Sequence, residues 1–194
     1  HHIWERAWSF KDHGKSLAAR NQRNTTAHFR WLHDEFGTNW RLTEIQATIG
    51  RRQLRQLTDW VNTRRRNALF LNQQFSAVQA LRTTIPADNE YHAYYKYYIF
   101  LKPEALLPSW NRDHILEAVN AEGITCSSGI CPEIYREKAC RAKGLQPVKS
   151  FTTAHSLGET SMMFPVHPTL QKADLSDIVT AVTKVLAVAT HRQS

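Results

Sequence analysis

The segment Phe36-Gly37-Thr38-Asn39-Trp40-Arg41-Leu42-Thr43-Glu44-Ile45-Gln46-Ala47 joins two different textures of chain. Upstream, residues 21–40 are polar and aromatic without clean periodicity. Phe29, Trp31, Leu32 and Phe36 are too apolar to be left in water, so the stretch is expected to be an ordered loop rather than a linker. Before it, Ile3, Trp4, Ala7 and Trp8 mark a short amphipathic piece that stops near Gly14. Downstream, Thr43 and the apolar period after it open a long helical region, residues 42–75, with a break expected near 58–62. Ile45, Ile49, Leu54, Leu57 and Val61 recur there at helical spacing, which leaves the other faces to Arg51, Arg52, Arg55, Arg64, Arg65 and Arg66.

From about residue 80 the chain alternates. Tyr94 to Leu101 is aromatic and β-prone and is predicted as a strand. Asn111 can cap a helix carrying Ile115, Leu116 and Val119, with Gly123 as its stop. Ile124 to Cys126 is predicted as a short strand, and Pro132 as the start of a helix through Ile134, Tyr135 and Ala139. Met162 to Val166 is a further strand candidate. The last helix, residues 172–189, shows Leu175, Ile178, Val179, Val182 and Leu186 on one face, with Asp174 near its start. The expected fold class is α+β: a loop and long helices over residues 1–75, then a compact unit over 76–194.

At 194 residues, 42% hydrophobic and 22% charged, the chain is long enough for a core and too apolar for wholesale disorder. No apolar stretch reaches bilayer length and no leader opens the sequence, so membrane association is not expected. The chain opens on His1 and His2 and its only methionines are Met162 and Met163. It is therefore expected to be a processed, cropped or tagged piece of a reading frame. The net charge of +8 invites a nucleic-acid partner. Much of the excess lies in the 51–66 arginines, and a solvated or subunit-facing helix side accounts for it without any accompanying nucleic-acid motif. The seven glycines stand too far apart for G-x-G-x-x-G or a P-loop. Cys126, Cys131 and Cys140 lack C-x-x-C spacing and are expected to be reduced thiols of a cytoplasmic protein.

Motifs for catalysis are missing. There is no G-x-S-x-G elbow and no H-E-x-x-H helix. His28 and His33 with Asp34 are better read as surface or packing residues than as metal ligands. Glu133 and Glu137 lie one helical turn apart and are read as solvent-facing charges. No spacing supports Cys126 with His155 or His167 as a nucleophile pair. Catalytic and metal-binding residues are accordingly expected to be none.

Longer strings carry more information. Trp8-Ser9-Phe10-Lys11-Asp12-His13-Gly14-Lys15 is followed by Arg30 to Ala47, then Tyr91-His92, Ile124 to Ser128, Cys131 to Ala139, and Leu157 to Leu170. In this order they resemble the C-terminal half of the DegT/DnrJ/StrS sugar aminotransferases, pyridoxal-phosphate enzymes of the aspartate-aminotransferase fold. The resemblance implies that residues 1–75 are a remnant of the large domain with subunit contacts, and that 76–194 are the small C-terminal domain. It implies amino transfer to a keto-sugar nucleotide, serving surface polysaccharide or antibiotic sugars, in a homo-oligomer.

The family's cofactor-holding lysine, its Gly-Glu-Gly-Gly turn and the aspartate that pairs with the pyridine nitrogen have no counterpart here. All fall before the point that matches Trp4, so the chain is expected to bind no pyridoxal phosphate of its own and to be inactive alone. One contact carries over. The asparagine of the family's Gly-x-Asn-(Tyr/Trp)-Arg loop, which reaches the cofactor phosphate of the neighbouring subunit, matches Asn39, and Arg41 could add a charge-assisted contact to cofactor or sugar-nucleotide phosphate. Asn39 as a loop or capping residue, and Arg41 as a surface charge, remain open alternatives. So does a naturally truncated, non-catalytic oligomerisation or interaction protein. Apolar surface around Trp4, Trp8, Trp31 and Trp40 is expected to drive self-association.

Overall fold

A computed structural model of the chain describes residues 2–22 and 33–191. Its helices are α1 (His2–Lys11), α2 (Leu17–Asn21), α3 (Glu44–Phe75), α4 (Arg112–Ala121), α5 (Lys138–Ala142), α6 (Thr152–Thr160) and α7 (Lys172–Ala189). Three strands accompany them, β1 (Leu81–Thr83), β2 (Tyr97–Leu101) and β3 (Ser161–Phe164), with 3₁₀ turns at Pro103–Ala105 and Ile134–Arg136. The residues gather into two compact units, His1–Gln56 and Leu57–Ser194. This contact boundary falls inside α3, whereas the texture of the sequence changes at its end. The reason lies in the last turns of α3, where Asn67, Ala68, Leu71, Asn72 and Phe75 are buried.

In the first unit, α1 ends against a loop whose backbone is tied to the 33–40 segment. The 23–32 part of the expected ordered loop, with Phe29, Trp31 and Leu32, and likewise His28, lies outside the described residues. The start of α3 is locked by a reciprocal pair. The Gln46 N–H donates to Thr43 Oγ1 at 3.3 Å, and the Thr43 N–H donates to Gln46 Oε1 at 3.0 Å. Such a box satisfies two amides that a helix start leaves open. The helix then runs unbroken to Phe75, so the break expected near 58–62 does not occur. Residues 58–62 contain neither proline nor glycine, and nothing there removes a helical hydrogen bond.

The second unit is built on an antiparallel sheet in the order β1-β2-β3. Leu81 faces Leu101 across one pair, and Tyr97 faces Phe164 across the other. Alternate residues of β2, Tyr97, Ile99 and Leu101, are buried, as a period of two requires for a one-sided sheet. Against them pack Phe75 and Leu71 of α3, Ile115 and Val119 of α4, and Leu175, Ile178, Val182 and Leu186 of α7. The buried Tyr97 hydroxyl donates to Asn72 Oδ1 at 2.8 Å, which satisfies both polar groups inside the core.

Asn111 caps α4 by accepting from the His114 N–H, and Gly123 follows with φ +86°. α7 opens on a capping box between Gln171 and Asp174 and keeps the bounds its apolar period predicts. Two expectations need correction. Ile124–Cys126 is not a strand: the chain meets β3 only one residue later, through an isolated bridge from Ser127 to Met163. Pro132 does not open one helix. A 3₁₀ turn at Ile134–Arg136 precedes the separate α5, because Glu137 has extended backbone (ψ 144°). Among the described residues no helix is long and apolar enough to cross a membrane.

Candidate functional site

The loop carrying Asn39 and Arg41 is held by backbone before any side chain acts. The His13 N–H donates to the Thr38 carbonyl at 2.9 Å, Thr38 N–H to Phe10 at 2.7 Å, and Trp40 N–H to Lys11 at 3.0 Å. The Asp34 and Glu35 amides both donate to the Gly14 carbonyl. This weave passes so close that side chains are excluded at two points. Gly14 has φ +78°, and a Cβ there would lie 1.7 Å from the Glu35 carbonyl oxygen. A Cβ on Gly37 would lie 2.3 Å from the Gly14 nitrogen. Only glycine serves at both positions.

On this frame Arg41 gathers its neighbours. Its Nε donates to Asn39 Oδ1 at 3.0 Å, its Nη2 meets His13 Nε2 at 3.1 Å, and its Nη1 lies 3.5 Å from Asp12 Oδ1. Lys15 Nζ also lies 3.5 Å from Asp12 Oδ1. Burial works against ionisation of Asp12, but the Arg41 and Lys15 cations outweigh it, and its carboxyl is held below the usual range. Two cations, Arg41 and Lys15, thus share the Asp12 carboxylate.

The Arg41–Asn39 bond has a further consequence. It occupies the amide oxygen of Asn39, so the side of that amide left to a ligand is its N–H₂ donor. Asn39 and Arg41 are both exposed, and a guanidinium carries more N–H groups than these three contacts use. Exposed amide and guanidinium donors side by side are the chemistry that a phosphate monoester requires, so the residues present fit the phosphate of pyridoxal phosphate. Asp12 and His13, which hold Arg41, had no role assigned from the sequence. Their only signal there was membership of the 8–15 string.

The remaining sequence candidates fall elsewhere. Glu133 is not a solvent-facing charge. It is buried and bonded to Tyr135, Arg136 and His155, while Glu137 is exposed. The Tyr135 hydroxyl first, then His155 and Arg136, hold the Glu133 carboxyl down at about 2 against the opposing effect of burial. His155 therefore serves Glu133. Cys126 is buried in the core, which pushes its thiol up to about 12 and keeps it protonated and unreactive. His167 Nδ1 lies 2.6 Å from Thr169 Oγ1. His33 faces His13 edge-on at 6.3 Å between ring centroids. Arg64 and Arg65 donate to the backbone carbonyls of Tyr95 and His92 and stack over Tyr95 and Tyr91, so both are engaged within the chain.

An aminotransferase from Psychrobacter cryohalolentis is 39% identical to the chain and superposes with a TM-score of 0.85, over 96% of this chain and 49% of that one. The erythromycin biosynthesis sensory transduction protein EryC1 of Saccharopolyspora erythraea is 29% identical, over 84% of this chain and 42% of its own length. The Helicobacter pylori aminotransferase PseC, involved in the biosynthesis of pseudoaminic acid, shares the fold at 20% identity and a TM-score of 0.79, over 96% of this chain and 47% of its own. The chain thus spans about half the length of the relatives it matches, and the solved structures among them are aminotransferases of the aspartate-aminotransferase fold. The family model for DegT/DnrJ/EryC1/StrS aminotransferases matches residues 1–183, and the chain belongs to that family.

Proposed function

We propose that residues 1–194 form the C-terminal part of a pyridoxal-phosphate-dependent sugar aminotransferase, which transfers an amino group to a keto-sugar nucleotide in the cytoplasm. When bound, the cofactor supplies the electron sink for that transfer. The role of this chain is to hold the phosphate of a neighbouring subunit's cofactor. Asn39 donates its amide hydrogens to a phosphate oxygen, and Arg41 both orients that amide and adds positive charge. Asp12 and His13 keep Arg41 in place. The lysine that carries the cofactor and moves the proton, and the aspartate on the ring nitrogen, belong to a segment outside these residues, so the chain by itself does not catalyse. The observation that carries this reading is the Arg41 Nε bond to Asn39 Oδ1, which leaves that amide presented as a donor.

Trp40 follows Asn39 directly and is 69% exposed, so it reports on the loop. Pyridoxal phosphate is expected to quench the emission that Trp40→Phe removes, weakly and more than pyridoxal does. Asn39→Ala and Arg41→Met should each weaken this quench about tenfold, the scale of one charge-assisted hydrogen bond. Equal quenching by pyridoxal, or no effect of either substitution, would refute the assignment.

A second reading rests on a separate observation. Ile45, Ile49, Leu54 and Leu57 on α3 are exposed, as are Trp4 and Trp40. Surface of this kind supports a homo-oligomer, or a non-catalytic interaction protein built from the same fold.

A further inference from the structure

The second unit carries a surface cavity of about 480 Å³, bordered by the Ile134–Arg136 turn, α5 and the start of α6. Glu133 is the only acid among its described lining residues, and it is saturated. It accepts from the Tyr135 hydroxyl, from Arg136 Nη1 at 2.9 Å and from His155 Nδ1 at 2.9 Å. The same Tyr135 oxygen accepts the Phe151 N–H at 3.2 Å, which ties the entry to α6 into the network. This wall is fixed, with its negative charge consumed internally. Arg136 also feels Glu159, so its charge is largely spoken for.

The other lining groups are in a different condition. Arg141 lies within salt-bridge distance of no carboxylate among the described residues, and the side chains of Gln146, Ser150 and Thr152 meet no hydrogen-bond partner there. A cation, an amide and two hydroxyls thus line one cavity whose sole carboxylate is already neutralised. Donors in excess over acceptors, around an unpaired guanidinium, suit an oxyanion with several acceptor oxygens. The volume is that of a small-molecule site rather than of a lone carboxylate.

We propose that this cavity binds the phosphoryl group of a phosphorylated small molecule, with Arg141 as its charged anchor. The proposal is independent of the assignment of Asn39 and Arg41. Calorimetric titration of the chain with inorganic pyrophosphate, inorganic phosphate and acetate tests it. Pyrophosphate should bind saturably and more tightly than phosphate, with acetate weakest. Arg141→Met should weaken pyrophosphate binding about tenfold without lowering the melting temperature, since the Arg141 side chain supports no other described group. Arg141→Lys should fall between, because it keeps the charge and loses the planar fork. Absence of saturable binding, acetate binding as tightly as pyrophosphate, or wild-type affinity in Arg141→Met would overturn the proposal. Pyrophosphate binding lost in Asn39→Ala or Arg41→Met and kept in Arg141→Met would also overturn it, while leaving the loop assignment standing.

Discussion

Glu133 shows how a single residue acquires a meaning its sequence neighbours do not announce. The spacing to Glu137 placed it on a solvated face, but the 3₁₀ turn at Ile134–Arg136 turns its side chain inward, onto Tyr135, Arg136 and His155. His155 is twenty-two positions away along the chain, so no local pattern could have paired them. Because the folded carboxyl is depressed to about 2 from an ordinary 4.5, its ionised form favours the folded state. That stability is fully present above about 4.5 and is lost as pH falls towards about 2. The melting temperature is therefore expected to drop across this acid window, and Glu133→Gln should lower it at neutral pH and flatten its pH dependence. An unchanged profile in Glu133→Gln would show that the network contributes nothing to folding. Asn39 behaves differently. Its match to the family loop made it a candidate from sequence alone, yet the bond from Arg41 that aims its amide depends on Asp12 and His13, which arrive from another segment.

At the scale of elements, α3 joins two physical regimes. Its second half is core: Leu71 and Phe75 are wholly buried against β2 and β3 neighbours. Leu71→Ala should cost about 2–5 kcal/mol of stability, read by denaturant unfolding, as large-to-small core changes do. Its first half exposes Ile45 and Ile49, at 76% and 56%. Ile49→Ser should leave the unfolding midpoint nearly unchanged while shifting light scattering from an assembly towards the single chain. A chain already monomeric, with little dye binding to apolar surface, would contradict that expectation. Elements with strong local rules were legible. The Asn111 cap, the Gly123 stop and the apolar face of α7 each follow from a few adjacent residues. Elements decided by distant partners were not. Ile124–Cys126 has strand composition but finds only one bridge to β3, and α6, which supplies His155, was not anticipated because its polar, short sequence has no clean period. The three-residue β1 owes its existence to pairing with β2.

For the whole molecule, membership of the aminotransferase family and the α+β class were readable because several long strings recur in order over residues 1–183. The chemistry proposed for the chain follows from the donors that Asn39 and Arg41 present to a phosphate. The most direct test is incubation with pyridoxal phosphate, borohydride reduction, intact-mass analysis and peptide mapping. The account predicts scattered, substoichiometric adducts over exposed lysines. One adduct per chain on a single residue, such as Lys11, Lys15 or Lys96, would contradict it and place a complete cofactor site within these residues.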